Sequence, residues 1–584
     1  NTCSSQALIR RAAFEQIGRF DEQRRQGMED WEFWVRAAAS GFWGTDLPEY
    51  LIWDRRKPAQ AYTSYRWQFR DDPQAIPQLR AELHATYPQV FRDGPPRLPD
   101  PTSDPYPIIP NLLPFHNRLA TQGQRRILIL LPSISPGGAD RYALDLAAGL
   151  IDGGDQVSVC LTRDLAHGWL PDLERITSDV FNLPGFLAPG DTPRFLHYLI
   201  ESRNITHVFI SNSLLAYNLL AYLRSRCPHV AYLDFVHAEQ EQRHGGFARV
   251  AADHDQLLDL HGVTSRHLGK ITAELEADPD RTEICYVGTD DQHWRPDPSA
   301  RLRIRAELGI PQEQTLILFV ARLSAEKRPR LAAQILLALR KAATPFCALI
   351  IGDGEDRAFL SLFLRQNRMH PQVRMLGNQP HARVRELMAA ADILLLPSQR
   401  EGIALTLYEA MASGVVPVAA QVGGHAELVL PTCGILIDHG QHEIERYAAA
   451  LRTLIEQPEQ RQTMSRAARI RISQSFSASV GLAHVRTALD RATMLSQKQP
   501  RPPVALGVGL ASAALSIEHE QLDRRLRRLA PVRLALALRW SSAGRLLTRL
   551  AGIRAAVLRL DRRIYSTRRT IGQFIRRICK QYGQ

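Results

Sequence analysis

The sequence predicts an α/β protein in which two doubly wound domains, each a parallel sheet covered by helices on both faces, look at one another across a cleft. Two observations carry this. From Arg126 onward, short apolar runs alternate with segments of helical period, and they do so in two consecutive sets. In the second set, the run Ile393–Pro397 ends in a short polar loop, and Glu401 and Glu409 follow eight residues apart in EGIALTLYE. A third observation, the distribution of charge, sets the end of the chain apart from the rest.

The first set comprises ILILLP, VSVCL, HVFI and HVAYLDFV, up to about residue 290. The second comprises LILFVA, FCALIIG, VRMLG, ILLLP, VVPVAA and GILI. Uninterrupted apolar runs suit strands buried on both faces. Residues 441–497 read as helical throughout, and no repeat of 20–50 residues interrupts the pattern. The predicted organisation is a compact piece over 1–60, a Pro-rich linker over 61–123, a first domain over 124–290, a second over 291–497 and a basic amphipathic helical tail over 498–584.

Composition narrows the class. The 584 residues are 45% hydrophobic and 23% charged, as in ordinary globular proteins. The chain begins at Asn1 and reads as a fragment of a longer polypeptide, with no signal peptide visible. Its longest weakly polar run, Val504 to Ile517, falls short of the roughly 20 residues a membrane span needs. Seven scattered cysteines, none in a CxxC pair, suggest reduced buried thiols and a cytoplasmic setting. The net charge of +13 is all in the tail: residues 501–584 carry 18 Lys+Arg against 4 Asp+Glu, and the remaining residues are close to neutral.

Glu401 and Glu409 flank the start of a predicted helix that opens at a strand's carboxyl end. Helix N-termini attract anions. Carboxylates beside such a site would hold neutral hydroxyls, so the pattern suits a nucleotide-sugar, with its diphosphate on the helix end. The competing reading is a helix cap and a solvated face residue. Arg322 and Lys327 follow the strand LILFVA, where two cations could neutralise a diphosphate. Gly352 and Gly354 follow the next strand, as a nucleotide contact or a structural turn. Glu427 in GGHAEL is a residue near the site or a cap. Gly137 and Gly138 open a helix after the first strand. His237 ends the run VAYLDFV, where a histidine is usually structural. Asp253-His254-Asp255 looks like a DxD metal motif but sits in a polar helical stretch and reads as a solvated face.

The run PSQREGIALTLYEAMASGVVPVAAQVGGHAELV resembles the signature of the retaining glycosyltransferases of family 4, which have the GT-B fold. The resemblance implies that Glu401 holds the donor sugar, Glu409 the ribose, and Arg322 and Lys327 the departing diphosphate. It puts His237 at the reacting centre, and Gly137, Gly138, Gly352, Gly354, Ile403, Ala404 and Leu405 around the donor. Retention of configuration, and transfer with no metal or other cofactor, are also implied by it. The chain departs from the pattern at Ile403-Ala404, where Phe-Gly is usual, at Thr406, where Pro is common, and at Val287-Gly288, where Asn-Gly is usual. The first 60 residues resemble the distal part of family 2 glycosyltransferases of GT-A fold. There Asp30 of the Glu29-Asp30 pair matches the general base, but the nucleotide-binding half of that fold is missing.

In the tail, Leu, Ile and Val recur every three or four residues between arginines over 521–580. This suits an anionic membrane surface, with a helix docked on protein as the competing reading; few aromatics argue against nucleic acid. The sequence as a whole points to a peripheral, cytoplasmic transferase that moves a sugar from a nucleotide-sugar to a hydroxyl of a saccharide or lipid-linked acceptor in bacterial surface polysaccharide or glycolipid assembly. A nucleotide-sugar epimerase and a non-catalytic binding scaffold are the alternatives.

Overall fold

The computed structural model describes residues 9, 11–21, 29–42, 75–93, 125–135, 137–238 and 246–528, in two units that divide after His116. In the first unit, helices Arg11–Ile17 and Glu29–Ala39 enclose a small core of Ile17, Phe33 and Ala37. Arg36 fixes their angle by bonding Glu32 (2.8 Å) and the carbonyls of Ile17 and Arg19. Asp30 lies in the first turn of the second of these helices. Within the Pro-rich stretch 61–123, residues Ala75–Thr86 and Pro88–Asp93 are helical. Pro77 and Pro88 fall in the first turns, where a missing N–H costs nothing.

The second unit holds two all-parallel sheets. The first runs β1 (Arg126–Leu131), β2 (Gln156–Leu161), β3 (Val180–Asn182), β4 (His207–Ser211), β5 (Ala231–Val236), β6 (Leu260–Val263) and β7 (Thr282–Ile284), in the spatial order β3-β2-β1-β4-β5-β6-β7. The second runs β8 (Leu316–Val320), β9 (Cys347–Ile351), β10 (Val373–Gly377), β11 (Ile393–Leu396), β12 (Val416–Ala420) and β13 (Ile435–Ile437), in the order β10-β9-β8-β11-β12-β13. Each is a doubly wound order that reverses direction at one place, between β1 and β4 and between β8 and β11. Ligands bind at the carboxyl ends of strands at such switch points. Strands β4, β5, β9, β11 and β12 are buried along their whole length, which explains their mainly apolar sequence; the buried exceptions His207, Ser211 and Asp234 lie in β4 and β5.

At the opposite ends of β8 and β11 a polar lock sets their register. Asp392, just before β11, accepts from the Leu316 N–H at the start of β8 (2.8 Å) and pairs with Arg301 and Arg305. Arg305 is fully buried, and its remaining N–H groups go to the carbonyls of Ala390, Pro311, Gln312 and Gln314. A buried guanidinium is tolerated because every donor has a partner.

The sequence pattern assigns everything from 291 to 497 to the second domain. In the structure, helix Ala478–Lys498 packs back onto β5 and β6 of the first. His207 anchors it: burial pushes its imidazole down to about 4, and Nε2 lies 2.8 Å from Thr493 Oγ1 and 3.1 Å from the Leu489 carbonyl. Helix Leu506–Arg528, the first part of the expected tail, lies against helix Leu214–Arg226 through Gly509, Ser512, Ala513, Ser516 and His519. The Ser512 and Ser516 hydroxyls donate to the Asn218 carbonyl. This part is thus docked on protein, while residues 529–584, most of the stretch expected at a membrane, lie outside the described residues.

The Asp253–Asp255 stretch is not a solvated face. Asp255 is buried, with Oδ1 3.1 Å from His261 Nε2 and Oδ2 3.1 Å from the Arg501 guanidinium. The second ring nitrogen of His261 lies 2.9 Å from Asp234 Oδ1, and Asp234 also accepts from the Tyr217 hydroxyl.

Candidate functional site

The loops that leave β8 and β11 meet at the switch point of the second sheet. The Gln399 N–H donates to the Glu326 carbonyl (2.7 Å), so one loop is zipped onto the other. Lys327 ends the short turn Ala325–Lys327, and its Nζ contacts Glu401 Oε1 directly, both side chains being partly exposed (26% and 11%). The next residue fixes the turn. Arg328 takes a left-handed conformation (φ 50°), and its guanidinium grips Glu443 with two bonds of 2.6 and 2.7 Å. Arg322, at the end of β8, is exposed.

Gly352 and Gly354 brace this loop from behind. A Cβ on Gly352 (φ 125°) would lie 2.0 Å from the Ala321 carbonyl oxygen, and one on Gly354 2.6 Å from that of Leu323. Both glycines therefore let the backbone on either side of Arg322 come close.

Beyond Glu401 the helix Leu405–Ala412 begins. Ile403 and Ala404 form its entry, and His425 supports it. Buried and held below the ordinary imidazole range by desolvation, His425 donates from Nδ1 to the Ala420 carbonyl (2.8 Å) and turns Nε2 toward the Ala404 N–H (3.4 Å). Glu409 lies one turn into the helix, buried, 3.7 Å from His381 Nε2. It lines a pocket with Arg141, Asp145, His293, Trp294 and His381.

The first domain meets this site from across the cleft. A Cβ on Gly402 would lie 2.2 Å from the His237 carbonyl oxygen, which also accepts from the Thr264 hydroxyl (3.1 Å). The His237 ring stands edge-on to Tyr142 and Phe235, with Nε2 2.9 Å from Ser211 Oγ. Burial pushes its pKa down to about 4, so it is neutral near pH 7. Gly138 opens helix Gly138–Asp152 opposite Leu405, where a Cβ would come 3.8 Å from the leucine Cβ. Gly137 is extended and exposed, a geometry other residues also adopt. Asp140 holds the loop by accepting the Ser135 N–H (2.7 Å).

Hence His237 and Gly138 of the first domain meet Lys327, Glu401 and Leu405 of the second across the cleft, with Glu409 in the pocket that Leu405 also lines. Positive charge, a helix N-terminus and an acceptor carboxylate in one place can hold a phosphate beside a hydroxyl-bearing group. Sequence reasoning missed Arg328, Glu443 and His425. Glu427 proves to be a cap, but for the other domain: it accepts the N–H groups of Arg266 and His267 (2.8 and 2.9 Å), at the start of helix Arg266–Glu274, and the Tyr286 hydroxyl (2.7 Å). Glu427→Ala is expected to cost about 1–2 kcal/mol, the range of a lost N-cap, read as a lower urea midpoint. An unchanged midpoint would mean that the clasp carries no load.

Comparison with known proteins agrees with this geometry. Residues 300–471 match the family model described as Glycosyl transferases group 1. The chain is 29% identical over 234 residues to a D-inositol 3-phosphate glycosyltransferase of Segniliparus rotundus, covering 39% of this chain and 51% of that protein. With D-inositol 3-phosphate glycosyltransferase 1 of Catenulispora acidiphila it is 31% identical over 221 residues, 36% and 49% of the two chains. It thus spans about half the length of the curated relatives it matches. Among solved structures, Anabaena Alr3699/HepE in complex with UDP and glucose superposes with a TM-score of 0.54 at 22% identity, over 63% of this chain and all of that one. Sucrose-phosphate synthase of Thermosynechococcus elongatus gives 0.51 at 18%, over 63% and 99%. The fold is that of the GT-B enzymes. These likenesses cover the two Rossmann-like domains and their cleft; at such identities they speak to architecture.

Proposed function

We propose that this chain is a glycosyltransferase that moves a sugar from a nucleotide-sugar to a hydroxyl acceptor, with retention of configuration. The observation that carries the reading is the Lys327–Glu401 pair, set at the switch point, ahead of a helix N-terminus and against His237 of the facing domain. In this reading Lys327 and Arg322 stabilise the departing diphosphate, which also accepts hydrogen bonds from the start of helix Leu405–Ala412. Glu401 then exchanges its lysine partner for sugar hydroxyls. Glu409 holds the ribose. Neutral His237 lies beside the reacting carbon as a hydrogen-bonding group. Ile403 and Ala404 shape the sugar pocket, and the cations do the charge work for which other transferases use a metal.

The relatives' names support a small phosphorylated polyol or a saccharide as acceptor, and the UDP-bound Anabaena structure supports a uridine donor. Bacterial surface glycan assembly is the setting we favour, with the part of the expected stretch 521–580 that follows helix Leu506–Arg528 on an anionic membrane surface and residues 1–60 as the distal piece of a GT-A domain in which Asp30 would be the base. No helix among the described residues is long and apolar enough to cross a membrane.

A thermal-shift screen over nucleotide-sugars tests the donor site. A true donor at a hundredfold its Kd stabilises the native state by about 2.7 kcal/mol and raises Tm by several degrees. Flat melting curves across UDP-, GDP-, ADP- and dTDP-sugars would end this reading. Nucleotide release that needs no acceptor would favour an epimerase or hydrolase instead.

A further inference from the structure

The amino-terminal ends of the central strands β4 and β5, away from the cleft, carry a cluster that the donor site does not use. His197 and Glu201 lie one helical turn apart on Thr192–Ser202, so both point from the same face. Cys227 follows helix Leu214–Arg226, and His229 comes two residues later, just before β5. One ligand atom from each of His197, Glu201 and Cys227 lies within 4.8 Å of the other two. Glu201 Oε1 is 4.0 Å from His197 Nε2 and 3.8 Å from His229 Nε2. Cys227 is a buried free thiol, while His229 is exposed enough to rotate.

We propose that His197, Glu201, Cys227 and His229 form a structural zinc site. The donor set is one thiolate, two imidazoles and one carboxylate, a mixture that favours tetrahedral Zn²⁺ over the oxygen-loving Mg²⁺ or Ca²⁺. Zinc bonds of about 2.0–2.3 Å put neighbouring ligand atoms about 3.3–3.8 Å apart, so His197, Glu201 and Cys227 need close by only about 1 Å, and the exposed His229 ring swings in from beside Glu201 as the fourth ligand. Binding displaces one proton from the Cys227 thiol to solvent, and Zn²⁺ with one thiolate and one carboxylate is locally neutral. That neutrality matters because Arg226 is close enough to act electrostatically on both His197 and Cys227. The thiol otherwise sits where burial and Glu201 both push its pKa up, and metal binding reverses that preference.

The backbone at Cys227 is already set. Its N–H donates to the Leu223 carbonyl (2.7 Å), and its own carbonyl accepts from the Tyr232 hydroxyl (3.1 Å). The six residues of β5 put the cluster about 20 Å from His237, so the ion would serve architecture and not transfer. It would join helix Thr192–Ser202 to the end of helix Leu214–Arg226, the platform on which helix Leu506–Arg528 lies. Gly509 crosses that platform so closely that a Cβ would sit 2.3 Å from Ser225 Oγ, two residues before Cys227.

The test uses the full chain without a histidine tag, stripped with chelator, reconstituted with Zn²⁺ or Co²⁺ and desalted. The expected result is about one zinc retained per chain, and for cobalt the strong visible bands of a tetrahedral site with a thiolate-to-metal band in the near ultraviolet. Cys227→Ser should lose that ultraviolet band. His197→Ala, a change at a partly exposed position that leaves the buried thiol in place, should lose most retained metal while keeping the native circular dichroism. Chelation should lower the wild-type Tm by several degrees and leave the His197→Ala Tm unmoved. If the wild-type chain keeps no more zinc than His197→Ala, or if its cobalt spectrum is weak and octahedral with no thiolate band, the site does not exist.

Discussion

Lys327→Ala and Glu401→Ala should each lower transfer about a hundredfold or more while leaving the far-ultraviolet spectrum and urea midpoint nearly unchanged. The reasoning is electrostatic. Lys327 sits at the end of a turn held by the Arg328–Glu443 grip, so it is preorganised and need not reorganise as charge develops on a leaving diphosphate. Losing one such donor typically costs about 3–4 kcal/mol at the transition state. The ground state loses far less, because a partly exposed ion pair contributes at most about 1 kcal/mol to stability. The two variants should differ in kind. Lys327→Ala, which in the proposed role would remove the cation that offsets charge on the leaving group, should lower kcat most for donors with poor leaving groups. Glu401→Ala, which in the proposed role would remove a sugar contact, should blur discrimination between donor sugars. Measured kcat and KM for two nucleotide-sugars separate these outcomes, and near wild-type kcat in both variants would remove the pair from the reaction.

The expectations that survived best rest on strong local signals. Buried parallel strands write themselves as runs such as Ile393–Leu396, because both faces meet helices. The turn after each run then marks a strand's carboxyl end, which is how Lys327 and Glu401 could be set at strand ends from spacing, whereas the place given to His237 came from the family resemblance. What stayed hidden depends on contacts between distant residues. Arg328 reads as one more charge in RLSAEKRP until Glu443, over a hundred positions later, is seen in its grip. Glu427 shows acidic character at a helix start, but nothing local says that the helix it caps begins at Arg266. Helix Ala478–Lys498 looks like the last element of the second domain by order alone; its return to the first sheet is set by tertiary packing around His207. The Cys227-x-His229 and His197-x-x-x-Glu201 pairs lie 25 residues apart with an intervening strand and helix, outside familiar metal spacings, so the sequence led us to expect no metal in this half of the chain.

The largest stability effect should come from His261. Its imidazole is wholly buried between Asp234 and Asp255, and both ring nitrogens face carboxylate oxygens. Only the doubly protonated ring can donate to both. Burial alone would lower its pKa, but the two carboxylates win and hold it up at about 9, while Asp255, despite its burial, is held down at about 2 by His261 and Arg501. The signs then follow. His261 is raised above its unfolded value of about 6.5, so its contribution is complete below that pH and lost as pH rises through about 9. Asp255 is depressed below about 3.8, so its contribution is present above that pH and lost as pH falls toward 2. Between about pH 4 and 6.5 the triad is at full strength. His261→Ala leaves two buried carboxylates facing a cavity and should cost about 3–5 kcal/mol at pH 6, the penalty of breaking a buried ion pair. It should cost much less at pH 9.5, where the wild-type protein has already lost most of this interaction. Urea midpoints of both proteins at pH 6 and 9.5 make the comparison. Should the gap between wild type and variant be the same at the two pH values, the ring is neutral in the folded protein and Asp234 or Asp255 carries the proton instead.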